Sequence, residues 1–109
     1  DIRIRGLVAL LRNDPRAGRF AEAELRELIL HDIQTGTDHL DVLRAYLRLA
    51  GNKSALATHL HLSRPAVYSR LARIEEILGV DLSDGESMTS LHVALLILDA
   101  QSRATGTGR

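Results

Sequence analysis

The 109-residue chain has no cysteine and no tryptophan, one phenylalanine and two tyrosines. Lacking cysteine, it can hold neither a disulfide framework nor a thiolate metal site, as expected of a cytoplasmic protein. With aromatics at 3%, the core must be filled by Leu, Ile, Val and Ala, a composition suited to helices. No apolar run approaches membrane-spanning length, and the stretch from Ile2 to Leu11 is too short and too interrupted by arginine for a signal peptide. A starting methionine is also absent, as in a piece of a longer protein. Net charge is missing too, with 14 basic against 14 acidic residues. A neutral total argues mildly against a nucleic-acid partner, so the distribution of charge decides.

That distribution is uneven. Residues 51–80 carry Lys53, Arg64, Arg70 and Arg73 against Glu75 and Glu76, while residues 81–109 are acidic by two. Nucleic-acid affinity follows the local charge facing phosphates, so a neutral whole is compatible with a basic face, though with weak non-specific binding by one copy. The length suits one domain with an appended arm.

The basic stretch is also the most organised one. Residues 54–60 place Leu56, Ala57 and Leu60 on one face, His61 and Leu62 follow, and Ser63 is positioned to cap a second helix over 64–78. A serine cap accepts from the free amides of the first turn, and Pro65 fits there because its missing N–H has no intrahelical partner. Val67, Leu71, Ile74 and Leu78 recur at the spacing of one buried stripe, opposite Pro65, Ser69, Ala72 and Arg73, with Tyr68 on the flank. A short helix, a three-residue turn and a longer helix with a basic outer face make a helix-turn-helix, which points to DNA. The turn asks His61 for a positive φ, which histidine tolerates better than β-branched residues.

Around this pair, DIRIRG alternates with period two, as a short strand or an extended lead-in, and residues 6–12 read as a short helix stopped by Asn13, Asp14 and Pro15. Asp14 is a candidate cap for the next helix, whose stripe is Phe20, Leu25, Leu28, Ile29 and Ile33. Residues 34–37, QTGT, read as a stop and a subdomain boundary. Thr37 or Asp38 opens a helix to Ala50 with Leu40, Leu43, Leu47 and Ala50 on one face, Val42, Tyr46 and Leu49 widening it, and Gly51 as its stop. Residues 80–87, VDLSDGES, read as a loop from which Val80 and Leu82 fold back. The last helix, about 87–102, is apolar nearly all round, which asks for burial on more than one side: one side against the helix-turn-helix, the other against a dimer partner or a neighbouring domain, with the dimer preferred. The tail, residues 104–109, is Gly-rich and expected to be disordered.

Other constellations carry less chemistry. His59 and His61 straddle a helix end, so their rings diverge and no metal site is expected there. Asp81, Asp84, Gly85 and Glu86 lack calcium-loop spacing, and Asp84 or Ser87 serves better as a helix cap. No nucleophile elbow, glycine-rich phosphate loop or HExxH is present, so neither catalysis nor a cofactor is expected.

The run LDVLRAYLRLAGNKSALATHLHLSRPAVYSRLARIEEILGVDL, followed by SLHVALLILDA, resembles the C-terminal region of PucR/CdaR-type bacterial transcription regulators. Residues 5–32 resemble the segment preceding the helix-turn-helix in that family. The resemblance implies an all-α, Fis-like helix-turn-helix bundle over 36–103 with an N-terminal helical arm over 1–35. It also implies a sensor region, outside this sequence, that binds an effector. The sequence departs from many members at Pro65-Ala66, where they have Asn-Thr, and at Tyr68-Ser69, where they have Arg-Tyr, so base preference does not carry over. In such docking the start of the second helix enters the major groove as a homodimer on double-stranded DNA. Arg64, Ser69 and Pro65 are then the base-facing residues, Arg64 by a bidentate pair to guanine or by a phosphate contact. Asn52, Lys53, Ser54, Tyr68, Arg70 and Arg73 suit phosphates, with Arg70 alternatively held by Glu75 or another acid. The rival expectation is a helical dimerisation module that does not bind DNA.

Overall fold

The periodicities resolve into six helices in a computed structural model, which describes residues 2–104. They are α1 (Ile2–Leu11), α2 (Pro15–Thr35), α3 (His39–Arg48), α4 (Lys53–Leu60), α5 (Arg64–Leu78) and α6 (Gly85–Ala104), and no strand occurs among the described residues. The all-α class is therefore as expected. The alternation in DIRIRG is not a strand or a lead-in: α1 starts at Ile2 and runs through Gly6. The tail beyond residue 104 lies outside the described residues.

The described residues fall into two compact units, one contiguous (27–88) and one assembled from 2–26 with 89–104. In the contiguous unit Val42, Leu43, Tyr46, Leu47, Leu56, Val67, Leu71, Ile74 and Leu82 are buried, on α3, α4, α5 and the loop after α5. The Tyr46 hydroxyl donates to the Leu82 carbonyl at 3.3 Å, satisfying the polar end of a ring otherwise in the core. Leu82 thus folds back as expected, pinned also by its amide, which donates to Glu75 Oε2 at 2.7 Å. In the other unit Val8, Ala21, Leu25, Leu91, Ala94, Leu95, Leu96, Ile97 and Ala100 are buried. Ser90 Oγ donates to Glu24 Oε1 at 2.6 Å, and Gln101 Nε2 to the Arg12 carbonyl at 3.2 Å. The apolar sides of α6 are thus buried within one chain, and α6 alone does not call for a partner.

Two expected core positions are exposed, Phe20 at 38% and Ile33 at 73%. A helix turns about 100° per residue. The buried α2 positions Ala21, Leu25 and Leu28 cluster tightly, and Phe20 and Ile33 each fall about 100° or more from their centre. Alanine, not phenylalanine, faces inward.

Helix ends carry local chemistry. Asp14 accepts from the Arg16 amide at 2.9 Å and from the Arg16 guanidinium at 2.8 Å, which draws its pKa from 3.8 to about 2. Asp84 caps α6 through the Ser87 amide and hydroxyl, both at 2.9 Å. After α3 the chain reverses through two left-handed residues, Ala50 (φ 55) and Gly51 (φ 76). The stop is therefore earlier than expected, and Ala50 sits exposed in the turn rather than on the buried face.

Candidate nucleic-acid interface

The turn between α4 and α5 is built by its own sequence. His61 takes φ 56, and the Leu62 amide donates back to the Ala57 carbonyl at 3.0 Å, closing α4 with a left-handed cap. Ser63 Oγ then accepts from the Ala66 amide at 3.3 Å, and Pro65 sits in the first turn of α5. Asn52 performs the same service for α4, accepting from Ala55 at 2.9 Å. The inward stripe of α5, Val67, Leu71 and Ile74, fixes which face looks out.

That outward face holds Arg64, Pro65, Tyr68, Ser69, Ala72 and Arg73, all exposed. Arg64 Nη2 donates to the Tyr68 hydroxyl at 3.5 Å, and Lys53 Nζ stands 4.7 Å from the centroid of the Tyr68 ring. The Arg64 hydrogen bond and then the Lys53 charge hold the Tyr68 phenol below its ordinary pKa. Lys53, Arg64 and Tyr68 form one cationic cluster joining the starts of α4 and α5, with an aromatic ring between two positive groups. Asn52 and Ser54 are exposed beside it at the head of α4.

The remaining two arginines are partnered. Arg70 Nη2 reaches Asp38 at 2.5 Å, so of the acids considered for it the partner is Asp38 rather than Glu75. Arg73 binds Glu76 at 2.9 Å and also lies 3.3 Å from His31 Nε2. The nine expected site residues thus divide into the Lys53–Tyr68–Arg64 cluster, the exposed Pro65 and Ser69 on α5, the head of α4, and two arginines held on the flank of α5.

As expected, α3 opens directly after Asp38, but the Asp38 side chain does not cap it. Asp38 occupies the cap position and makes no capping bond, its carboxylate being engaged by Arg70. The cap comes from Asp32, at the end of α2. Its Oδ1 accepts from the His39 amide at 2.9 Å and the Thr37 hydroxyl at 2.5 Å, and its Oδ2 from the Leu40 amide at 2.9 Å. Partial burial pushes the Asp32 pKa up, but these hydrogen bonds outweigh it and the carboxyl stays below its ordinary value.

Among the described residues, no helix is long and apolar enough to cross a membrane. Residues 39–97, more than half of the chain, match the family model described as the PucR C-terminal helix-turn-helix domain. No curated protein and no solved structure matches the chain.

Proposed function

Because the chain belongs to the PucR C-terminal helix-turn-helix family, we propose that it binds double-stranded DNA sequence-specifically as the DNA-binding part of a cytoplasmic bacterial transcription regulator. The observation that carries this is the first turns of α5, where Arg64, Pro65 and Ser69 stand exposed beside Lys53 with no carboxylate among them. In the major groove Arg64 reads guanine and Ser69 and Pro65 meet base edges. Asn52, Lys53, Ser54 and Tyr68 take phosphates, and Arg70 and Arg73 do so by exchanging Asp38 and Glu76 for them. Residues 36–103 make up the DNA-binding part, and 1–35 connect it to an effector-binding region. The chemistry is recognition, with no reaction assigned to it.

Two copies on two half-sites let few contacts per copy add up to useful affinity, so we include a homodimer in the proposal. Its support is a run of exposed apolar residues on α1, Ile4 (42%), Leu7 (52%) and Leu10 (82%). The same run favours the second reading, a dimerisation module without DNA contact.

Fluorescence anisotropy separates them, using duplex from the gene's own upstream region at two salt concentrations. Arg64→Ala is expected to cost about 1–3 kcal/mol on the specific duplex and to narrow the preference over random duplex. Arg73→Ala should weaken all duplexes alike and flatten the salt dependence. Wild type that binds no better than both variants at low salt would leave the dimerisation reading.

A further inference from the structure

The junction of α2 and α3 gathers a group of side chains that the DNA-facing surface does not use. His31 and Asp32 lie near the end of α2, Gly36 turns the chain at φ 70, and His39 opens α3. A ligand atom from each of His31, Asp32 and His39 lies within 4.8 Å of the other two. The two imidazole rings are 5.3 Å apart, tilted by 35°.

Two of the three members have capacity to spare. His39 is only 7% exposed, and its buried Nδ1 has no hydrogen-bond partner, although such atoms are nearly always partnered in folded proteins. Asp32 accepts three hydrogen bonds, and a carboxylate has about four lone-pair sites. His31 presents Nε2 to Arg73 and Nδ1 to the hydroxyls of Thr35 and Thr37 at 3.4 and 3.5 Å. Arginine only donates, so His31 Nε2 is the acceptor of that contact. An open depression lined by Gly36, Thr37, Asp38, His39 and Arg70 borders the cluster.

We propose that His31, Asp32 and His39 bind a divalent transition-metal ion of the zinc type. Two imidazoles and one carboxylate are a donor set for Zn²⁺ and its neighbours rather than for the oxygen-seeking Ca²⁺ or Mg²⁺, and water completes the coordination. The ion ties the end of α2 to the start of α3. It also breaks the His31–Arg73 contact. Ligation through Nε2 occupies the acceptor that Arg73 uses, and ligation through Nδ1 puts the ring proton on Nε2, facing a donor.

The test is Zn²⁺ added to the full, untagged chain without DNA, followed by calorimetry, with Co²⁺ absorption as a second readout. Expected are one ion per chain and at least roughly tenfold weaker binding in His31→Ala and in His39→Ala, each checked for helicity. His59→Ala, on the exposed side of α4, should bind as wild type does. Nitrogen-edited NMR should show the ring signals of His31 and His39 moving with zinc. No saturable zinc uptake at micromolar concentrations, or undiminished uptake in the folded His31→Ala chain, overturns the proposal. DNA is absent from the titration, so the result stands whether or not the DNA reading does.

Discussion

Removing the Asp32 carboxylate should harm the fold more than removing Asp38, although Asp38 occupies the capping position of α3. In Asp32→Ala the amides of His39 and Leu40 and the Thr37 hydroxyl lose their acceptor. An ordinary cap is worth about 0.5–2 kcal/mol, and hydrogen bonds to a charged group about 1.5–3 kcal/mol. Asp32 is only partly buried, so water recovers some of the loss, and the expected cost is about 2 kcal/mol. For a domain of this size that is a fall in Tm of roughly 8–16 °C. Asp38→Ala removes an ion pair whose side chains are 63% and 32% exposed, worth about 0–1 kcal/mol. Urea unfolding of wild type and both variants at pH 7, followed by circular dichroism, gives the two numbers directly. Asp32→Asn, which keeps one acceptor oxygen, should fall between. An Asp38→Ala cost equal to or above that of Asp32→Ala would refute the assignment of the cap.

Three further outcomes are expected. Gly51→Ala should destabilise by about 1–2 kcal/mol from the left-handed backbone alone, and by more than Gly79→Ala in urea unfolding, because an added Cβ meets Met88 Cε at 3.0 Å and the Tyr46 hydroxyl at 3.3 Å, while Gly79 faces open space. The Asp14 carboxyl, followed by carbon NMR, should titrate near 2 rather than 3.8. Since its folded pKa is depressed, its contribution is complete above 3.8 and is lost as pH falls through about 2, and Asp14→Asn should lose that part of the acid dependence. Leu10→Glu, at the most exposed apolar position of α1, should shift the sedimenting species toward monomer while leaving the helicity of the chain unchanged.

What the sequence makes legible is what acts within about one helical turn. Ser63 to Ala66, Asn52 to Ala55, Asp84 to Ser87 and the left-handed His61 are all local, and each is where residue chemistry puts it. The buried stripe of α5 follows from spacing alone. The partners that decide the electrostatics of the site lie farther off: Arg70 meets Asp38 across 32 positions, and Arg73 meets His31 across 42. No periodicity reports such pairs. The cap of α3 fails for the same reason, since Asp38 has the right type and place but Arg70 competes for its carboxylate. Near neighbours in the chain, His59 and His61, draw the eye as a histidine pair, whereas the fold gathers His31 and His39 across the Gly36 turn. Phe20 and Ile33 each stand five positions from the nearest inward leucine, Leu25 and Leu28, a spacing that turns them off the face which the small Ala21 helps to define.

The two compact units differ in how the chain must close them, and this sets an order of events during synthesis. The unit of residues 27–88 is contiguous, with α3, α4 and α5 following one another, so its contacts cost little loop-closure entropy and can form once residue 88 is made. The other unit joins segments from both ends of the chain. Its Ser90–Glu24 and Gln101–Arg12 bonds span 66 and 89 positions, so its residues 2–26 wait unpartnered until α6 arrives. In pulse-labelled refolding, amides of α3 to α5 should gain protection before those of α1 and the second half of α6. Of the two units the helix-turn-helix then matures first, and α1, with its exposed Leu7 and Leu10, is the segment left for a chaperone or a second copy to meet.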